Sequence, residues 1–284
     1  MTNSYSPIGV FDSGIGGFSI LKALRAAMPS EHFVYFADSK HNPYGEKPDE
    51  FVRERSLAIV QTLISEHEIK ALVVACNTAT AAAIAMLRLH FPKLPIVGVE
   101  PALKPAALAT RSGKVLVLAT RGTLQSEKFA QLLAKLESES GASDQATSKA
   151  LHFTCVPCDG LADRIEHLAA REQTWQAWQS APDLIASCAA YMPATGLFDA
   201  KISDEPSFDT LVLGCTHYPL IREVFQTLVG DSVTIVDNAA PVALRTVQLL
   251  ADQCAPSDRP GSLTLRSSAD EGQLLKAADY WSLA

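Results

Sequence analysis

Short apolar runs rich in β-branched residues recur along the chain, separated by longer stretches in which apolar residues return every three or four positions. The short runs predict strands at 8–11, 33–36, 71–75, 96–99, 114–118, 152–156, 210–213 and 234–236. Stretches such as 51–66, 124–136 and 239–253 carry the helical period. Most of the short runs are continuously apolar rather than alternating, the mark of strands covered on both faces. Strands of that kind alternating with helices predict an α/β fold with parallel-rich sheets. Eight strands would also suit a closed barrel, but the order of the segments points elsewhere.

The two halves follow one plan. A first strand ends in a small-polar turn, Phe11-Asp12-Ser13-Gly14 in one half and Ala119-Thr120-Arg121-Gly122-Thr123 in the other. A later apolar strand ends in a cysteine, in Val74-Ala75-Cys76-Asn77-Thr78 and in Leu213-Gly214-Cys215-Thr216-His217. A last strand ends near Glu100 or Asp237. This weak internal repeat predicts two similar α/β domains related by pseudo-twofold symmetry, with an active site in the cleft between them. The boundaries fall at 1–99 plus about 240–284 for the first domain and 100–239 for the second. The Ser-rich 137–149 and the polar 203–207 read as surface loops, and the tail beyond Pro256 as loosely docked.

Composition narrows the function. With 284 residues, 48% hydrophobic and 19% charged, the chain can bury substantial cores. A formal net charge of −7 without any basic stripe argues against nucleic acid, which needs clustered Lys and Arg. The start, MTNSYSP, lacks the basic and apolar regions of a signal peptide. The longest apolar run falls far short of the roughly 20 residues that span a bilayer. The expectation is a soluble cytoplasmic protein with no membrane partner. Its six cysteines are irregularly spaced and read as buried fillers or reactive thiols, not disulfides. Cys155 and Cys158 make one C-x-x-C, half a zinc site with no second pair to complete it, so no metal is expected.

Ligands of open α/β sheets bind at the carboxyl ends of strands, so the residues just past each strand carry the chemistry. Asp12-Ser13-Gly14-Ile15-Gly16-Gly17 opens a helix and could hold an anion on backbone N–H groups. It is a poor dinucleotide site: the third glycine of G-x-G-x-x-G falls on Ser19, and Asp12 would sit beside a pyrophosphate. Asp38, ending the next strand, is nonetheless where a ribose-binding acid would stand. No Lys-Ser/Thr follows, so it is no P-loop. Cys76 and Cys215, at matched strand ends, are candidate reactive thiols. His217, two residues past Cys215, also allows a Cys–His nucleophile, although no orienting third member is evident. A pyridoxal enzyme would need a Schiff-base lysine and a phosphate cup; Lys40 is the only lysine among these loops and has no such company.

Four segments together resemble glutamate racemase: Gly9-Val10-Phe11-Asp12-Ser13-Gly14-Ile15-Gly16-Gly17, Pro43-Tyr44-Gly45, Val74-Ala75-Cys76-Asn77-Thr78-Ala79 and Gly214-Cys215-Thr216-His217-Tyr218-Pro219-Leu220. They run in the right order from about residue 8 to about residue 250. The resemblance implies that Cys76 and Cys215 are two catalytic thiols assisted by Asp12 and His217, with Glu166 as a further active-site carboxylate. It implies substrate contacts from Asp12, Ser13, Tyr44, Gly45, Asn77, Thr78, Thr120, Thr123, Thr216 and His217. It implies a cofactor-independent isomerase, commonly a homodimer, that supplies D-glutamate for peptidoglycan, the polymer of cell wall biogenesis and cell shape. Phe18-Ser19, Ser39 and Pro241 depart from commoner family residues, and the loops near 137–150 and 192–207 look longer than usual.

Chemistry agrees with that implication. Inverting a stereocentre removes a proton from one face and returns one to the other, which suits two tunable thiols, one ionised and one protonated. The motif residues contain no arginine, so hydroxyls and amides would hold the substrate carboxylates in a small, enclosed pocket. A racemase or decarboxylase of the same superfamily acting on an aspartate-type acid is the nearest alternative. A non-catalytic small-acid binding or regulatory protein is the alternative of a different class.

Overall fold

The computed structural model describes residues 4–141, 150–171, 177, 180–192, 208–251, 253–254, 260–281 and 283. The chain divides into two compact units, with the cuts after Glu100 and before Asn238. The first stretch runs β1 (Ile8–Asp12), α1 (Phe18–Ala27), β2 (Phe33–Ala37), α2 (Asp49–His67), β3 (Ala71–Val74), α3 (Asn77–His90) and β4 (Ile96–Gly98). The second unit holds α4 (Leu103–Ala109), β5 (Lys114–Ala119), α5 (Arg121–Leu124), α6 (Glu127–Gly141), β6 (His152–Pro157), α7 (Leu161–Arg171), α8 (Pro182–Ala190), β7 (Thr210–Leu213), α9 (Arg222–Val229) and β8 (Thr234–Val236). The chain then returns to the first unit with α10 (Ala239–Leu249), β9 (Leu263–Ser267) and α11 (Glu271–Tyr280).

Each unit is an α/β layer around its own open parallel sheet, ordered β4-β3-β1-β2-β9 in the first and β6-β5-β7-β8 in the second. The two orders are the same plan: β1, β2, β3 and β4 correspond to β5, β6, β7 and β8. The continuously apolar runs arise because both faces are covered, and every residue of β1, β3 and β7 is buried. In the first unit Phe11, Val34, Leu72, Val74 and Ile96 pack with Val52, Ile59 and Leu63 of α2 and with Ala83 and Leu87 of α3. On β2, Tyr35 meets Phe18 of α1 with ring centroids 4.9 Å apart. In the second unit Val115, Val117, Phe153 and Val212 pack under Leu103 and Ala106 of α4 and Phe129 of α6. Each such fully buried aliphatic or aromatic side chain contributes about 1.5–3 kcal/mol.

Three sequence expectations need correction. The tail beyond Pro256 is not loosely docked: β9 pairs with β2 from Phe33↔Leu263 to Ala37↔Ser267, and Leu274, Ala277 and Ala278 of α11 are buried. Its pattern hid it, because only Leu265 of the edge strand is buried. The start of the expected loop at 137–149 is helical as far as Gly141, and within it Ser138 and Ser140 donate their hydroxyls back to the carbonyls of Lys135 and Glu137 rather than turning the chain out of the helix. The helix expected at 124–136 is broken at its start, where the Ser126 hydroxyl accepts from the Phe129 N–H. The rest of the loops expected at 137–149 and 192–207, namely 142–149 and 193–207, lies outside the described residues.

Candidate active site

In each sheet the first strand has the second strand on one side and the third on the other, so successive connections leave in opposite directions. That switch point opens a crevice at the carboxyl ends, the standard ligand site of open α/β sheets. In the first unit it lies between β1 and β3, where Asp12, Ser13 and Cys76 emerge; in the second between β5 and β7, where Thr120 and Cys215 emerge. Backbone hydrogen bonds match pair by pair. Ala75 N–H donates to Phe11 C=O at 2.8 Å and Gly214 N–H to Leu118 C=O at 2.7 Å. Asp38 N–H donates to Asp12 C=O at 3.0 Å and Cys158 N–H to Ala119 C=O at 2.9 Å. These equivalences put Cys76 on Cys215 and Ser13 on Thr120.

The first half-site is built on the starts of α1 and α3. Cys76 occupies the N-cap of α3, and its sulfur accepts from the Ala79 N–H at 3.4 Å. A helix N-terminus favours negative charge, so this position favours the thiolate. The same sulfur reaches the Ser13 hydroxyl at 3.8 Å. Asp12 is fully buried, and its Oδ1 accepts from the Gly14 N–H at 2.8 Å. The Tyr35 hydroxyl donates to the Gly14 carbonyl at 2.6 Å and fixes the turn from below. Gly17 is a glycine because a Cβ there would lie 2.7 Å from both Asp12 Cβ and Tyr35 Oη. Phe18 N–H and Ser19 N–H donate to Ile15 and Gly16 carbonyls, so with Gly14 these three amides are spent inside the loop rather than on an anion.

Asp38 ties the Pro-Tyr-Gly loop to this half-site. It is fully buried and accepts from the Tyr44 hydroxyl at 2.5 Å, from Arg55 at 2.7 and 3.0 Å and from His41 Nδ1 at 3.0 Å. Burial opposes its charge, but the bonds from Arg55, Tyr44, His41 and Ser268 outweigh that and lower its pKa to about 2. Burial and the Asp38 charge together hold the Tyr44 phenol protonated, with its pKa well above the usual value. Asp38 is thus saturated by protein donors, which removes it as a ribose ligand and with it the dinucleotide alternative.

The second half-site contains the third member that the sequence did not reveal. His217 is 2% exposed, and its Nδ1 lies 3.8 Å from Cys215 Sγ while its Nε2 lies 2.6 Å from Glu166 Oε1 on α7. Burial opposes the imidazolium, but hydrogen bonds to Cys215 and Glu166 and their charges hold its pKa well above that of a free histidine. Glu166 claims the Nε2 proton, so Nδ1 is the nitrogen that faces sulfur. Gly214 lets β7 deliver Cys215 here, since a Cβ would meet Leu118 C=O at 2.8 Å. Thr120 and Thr123 share a hydroxyl–hydroxyl bond of 2.9 Å at the start of α5, and Thr216 is buried beside Cys215.

The candidate residues therefore lie at strand ends, on the loops that follow or in the first turns of the helices after them, except Glu166, which α7 carries to His217. Cys155 sits within β6 and Cys158 just after it, both free; burial pushes Cys155 up to about 11 and Cys158 further. Among the described residues no group of three His, Cys, Asp or Glu side chains gathers as metal ligands. Sequence reasoning missed Arg55 and Asn238. Arg55 lies inside a helix and carries no motif signal. Asn238 directly follows β8, a strand end that could have drawn notice.

The Asp/Glu/Hydantoin racemase family model matches residues 19–152. Over 277 residues, 98% of this chain and 94% of the relative, the sequence is 43% identical to the glutamate racemase of Ectopseudomonas mendocina. It is 44% identical over 247 residues to that of Pseudomonas aeruginosa strain PAO1, covering 86% of this chain and 81% of the relative. The chain belongs to the glutamate racemase family. Solved structures agree. Glutamate racemase isoform RacE1 from Bacillus anthracis superposes with a TM-score of 0.78 at 26% identity, over 99% of this chain and 95% of that one. The Escherichia coli glutamate racemase, solved with L-glutamate and the activator UDP-MurNAc-Ala, superposes with a TM-score of 0.75 at 30% identity, over 97% and 95%. As in the glutamate racemase family generally, the racemase fold here is mixed α/β with parallel sheets. No helix among the described residues is long and apolar enough to cross a membrane.

Proposed function

We propose that this member of the glutamate racemase family interconverts L- and D-glutamate without a cofactor, using Cys76 and Cys215 as its two acid/base groups. The observation that carries the reading is the equivalence of the two half-sites: a buried thiol at the same strand end of each unit, each with a different proton-handling neighbour. The two units act as two domains built on one plan, each with its thiol just past its third strand. The mechanism requires the two thiols to reach opposite faces of one α-carbon.

From L-glutamate, Cys215 acting as thiolate beside His217 takes the α-proton: the Cα–H bond breaks and an S–H bond forms. The Cys76 thiol then gives its proton to the other face, and its S–H electron pair stays on sulfur as thiolate. The D to L direction runs the same transfers in reverse. Asp12 assists Cys76, while Glu166 holds the His217 ring with Nδ1 toward Cys215. Ser13, Asn77, Thr78 and Thr216, with Thr120 and Thr123, hold the carboxylates and stabilise the carbanion in a water-poor site. The Tyr44 hydroxyl is taken by Asp38, so Tyr44 and Gly45 contribute main-chain groups. The product supplies peptidoglycan synthesis in the cytoplasm, a compartment that suits six free cysteines, and the working form is a homodimer.

Exchange in deuterium oxide tests this. The Cys215→Ala enzyme is expected to lose racemisation yet exchange the α-proton of D-glutamate only, and Cys76→Ala that of L-glutamate only, as read by proton NMR. Exchange of both enantiomers by one variant would show a single base serving both faces. Retained racemisation in either variant, faster turnover of aspartate than glutamate, or loss of activity to EDTA restored by one metal would each overturn a stated part of the reading.

A further inference from the structure

Asn238 stands at the N-cap of α10, where asparagine normally stabilises its own helix by about 1 kcal/mol by accepting from a first-turn N–H. It makes no such bond here. Its side chain turns instead to Asn77, the residue after Cys76, and Asn238 Nδ2 donates to Asn77 Oδ1 at 3.5 Å. Both residues are buried, Asn77 at 3% and Asn238 at 4% exposure. Among the described residues, Asn77 Nδ2 and Asn238 Oδ1 have no hydrogen-bond partner. A buried amide N–H2 left without a partner costs about 1–3 kcal/mol, so such groups in native structures call for a reason.

We infer that Asn238 is a positioning residue that fixes which way round the Asn77 amide stands. An asparagine amide is planar and nearly symmetric in shape, and turning it over exchanges its donor and acceptor edges. The bond from Asn238 occupies the acceptor edge. The donor edge of Asn77, without a partner among the described residues and beside the Cys76 half-site, is thereby kept for a substrate carboxylate. With Asn238 unable to donate, the amide is free to present Oδ1, which repels a carboxylate. The inference rests on the reading of Asn77 as a substrate-binding residue. Asn238 adds to that reading the device by which the contact is made dependable, at the expense of a helix cap.

Asn238→Asp keeps the shape and removes the donor, while Asn238→Ala removes the donor without adding charge. Both are expected to raise KM for L- and D-glutamate, Asn238→Asp by about 10-fold or more, with kcat changed by less than about 3-fold. Because a new carboxylate could repel glutamate directly, the substitutions are repeated in an Asn77→Ala background. Positioning predicts that the effect of Asn238→Asp on KM largely disappears there, whereas direct repulsion predicts that it persists. An unchanged KM in both single variants, or full additivity in the double variant, overturns the inference. An Asn77→Ala enzyme with wild-type KM instead overturns the substrate-binding reading, and does so without any Asn238 variant. Thermal unfolding of each variant shows whether the fold is retained, and Asn238→Ala carries the test if the charged variant does not fold.

Discussion

Glu166 Oε1 lies 2.6 Å from His217 Nε2, although 51 residues separate the two in the chain. The pairing orders the second half-site: carboxylate, imidazole, thiol, in a line with Nδ1 left to face Cys215 Sγ at 3.8 Å. The first half-site is built differently. Its thiol sits on a helix N-terminus against Ser13, with the buried Asp12 on the adjacent strand end. Two thiols at equivalent positions therefore have unlike surroundings.

That difference predicts an asymmetry in isotope effects. Glu166→Gln and His217→Asn slow only the transfer at Cys215, with kcat/KM falling about 10-fold or more. The primary isotope effect with α-deuterated L-glutamate is expected to rise, because Cys215 removes that deuteron. With α-deuterated D-glutamate it is expected to shrink, because delivery of a solvent proton from Cys215 then limits the rate. Asp12→Asn is expected to show the opposite pattern. Equal changes for both enantiomers would place these residues in a general structural role.

The titration of His217 gives a second check. Its raised pKa exceeds the roughly 6.5 of an unfolded histidine, so its pairing stabilises the fold fully below that pH and less as pH rises through the raised value. Ring NMR signals are expected to show imidazolium persisting through neutrality in the native enzyme. In Glu166→Gln the titration is expected to move to lower pH, because a charged acceptor is gone while burial remains. A His217 already neutral at pH 7 in the native enzyme would refute the imidazolium–thiolate arrangement.

Much of the site was legible because strand ends are marked locally. Asp12, Cys76 and Cys215 follow continuous apolar runs, and position after such a run is itself the signal for a ligand-facing residue. The α/β class was legible for the same reason. What escaped was whatever depends on a partner distant in sequence. Glu166 and His217 were each singled out, but nothing in helix α7 or in the Cys-Thr-His segment announces that they meet. Asp38 has the sequence position of a ribose ligand, but Tyr44, Arg55 and His41 fill its acceptor sites. The edge strand β9 escaped because an edge strand with a single buried residue has neither the continuous run nor a clear alternation.

Asp38 is expected to matter for acid stability. Its pKa of about 2 lies below the unfolded value near 3.9, so its interactions stabilise the fold above about pH 4 and are lost as pH falls toward 2. The difference corresponds to about 2.6 kcal/mol. Asn at this position keeps the shape but not the charge facing Arg55. Urea unfolding of Asp38→Asn is expected to show a loss of about that size at pH 7, and a smaller gap from the native chain near pH 3. A gap that does not narrow on acidification would assign the loss to packing.

The last expectation concerns Lys70, which sits 3% exposed just before β3. Its Nζ lies 2.6 Å from Glu31 Oε2 and donates to the carbonyls of Ser4 at 2.6 Å and Gln253 at 2.9 Å. One ammonium thus joins the segment before β1, the turn before β2 and the chain beyond α10. Removing one partner of a buried ion pair strands the other charge, which costs about 3–5 kcal/mol, whereas replacing both with apolar side chains is often close to neutral. Lys70→Met alone is expected to lower the unfolding midpoint by roughly 10 °C, at about 2–4 °C per kcal/mol for a chain of this size. Adding Glu31→Leu is expected to restore much of that loss, but not the part due to the two carbonyl bonds. If the double variant is as unstable as Lys70→Met, the carbonyls of Ser4 and Gln253, not the carboxylate of Glu31, are the partners that matter. In that event proteolysis at the segment after α10 is expected to speed up equally in both variants.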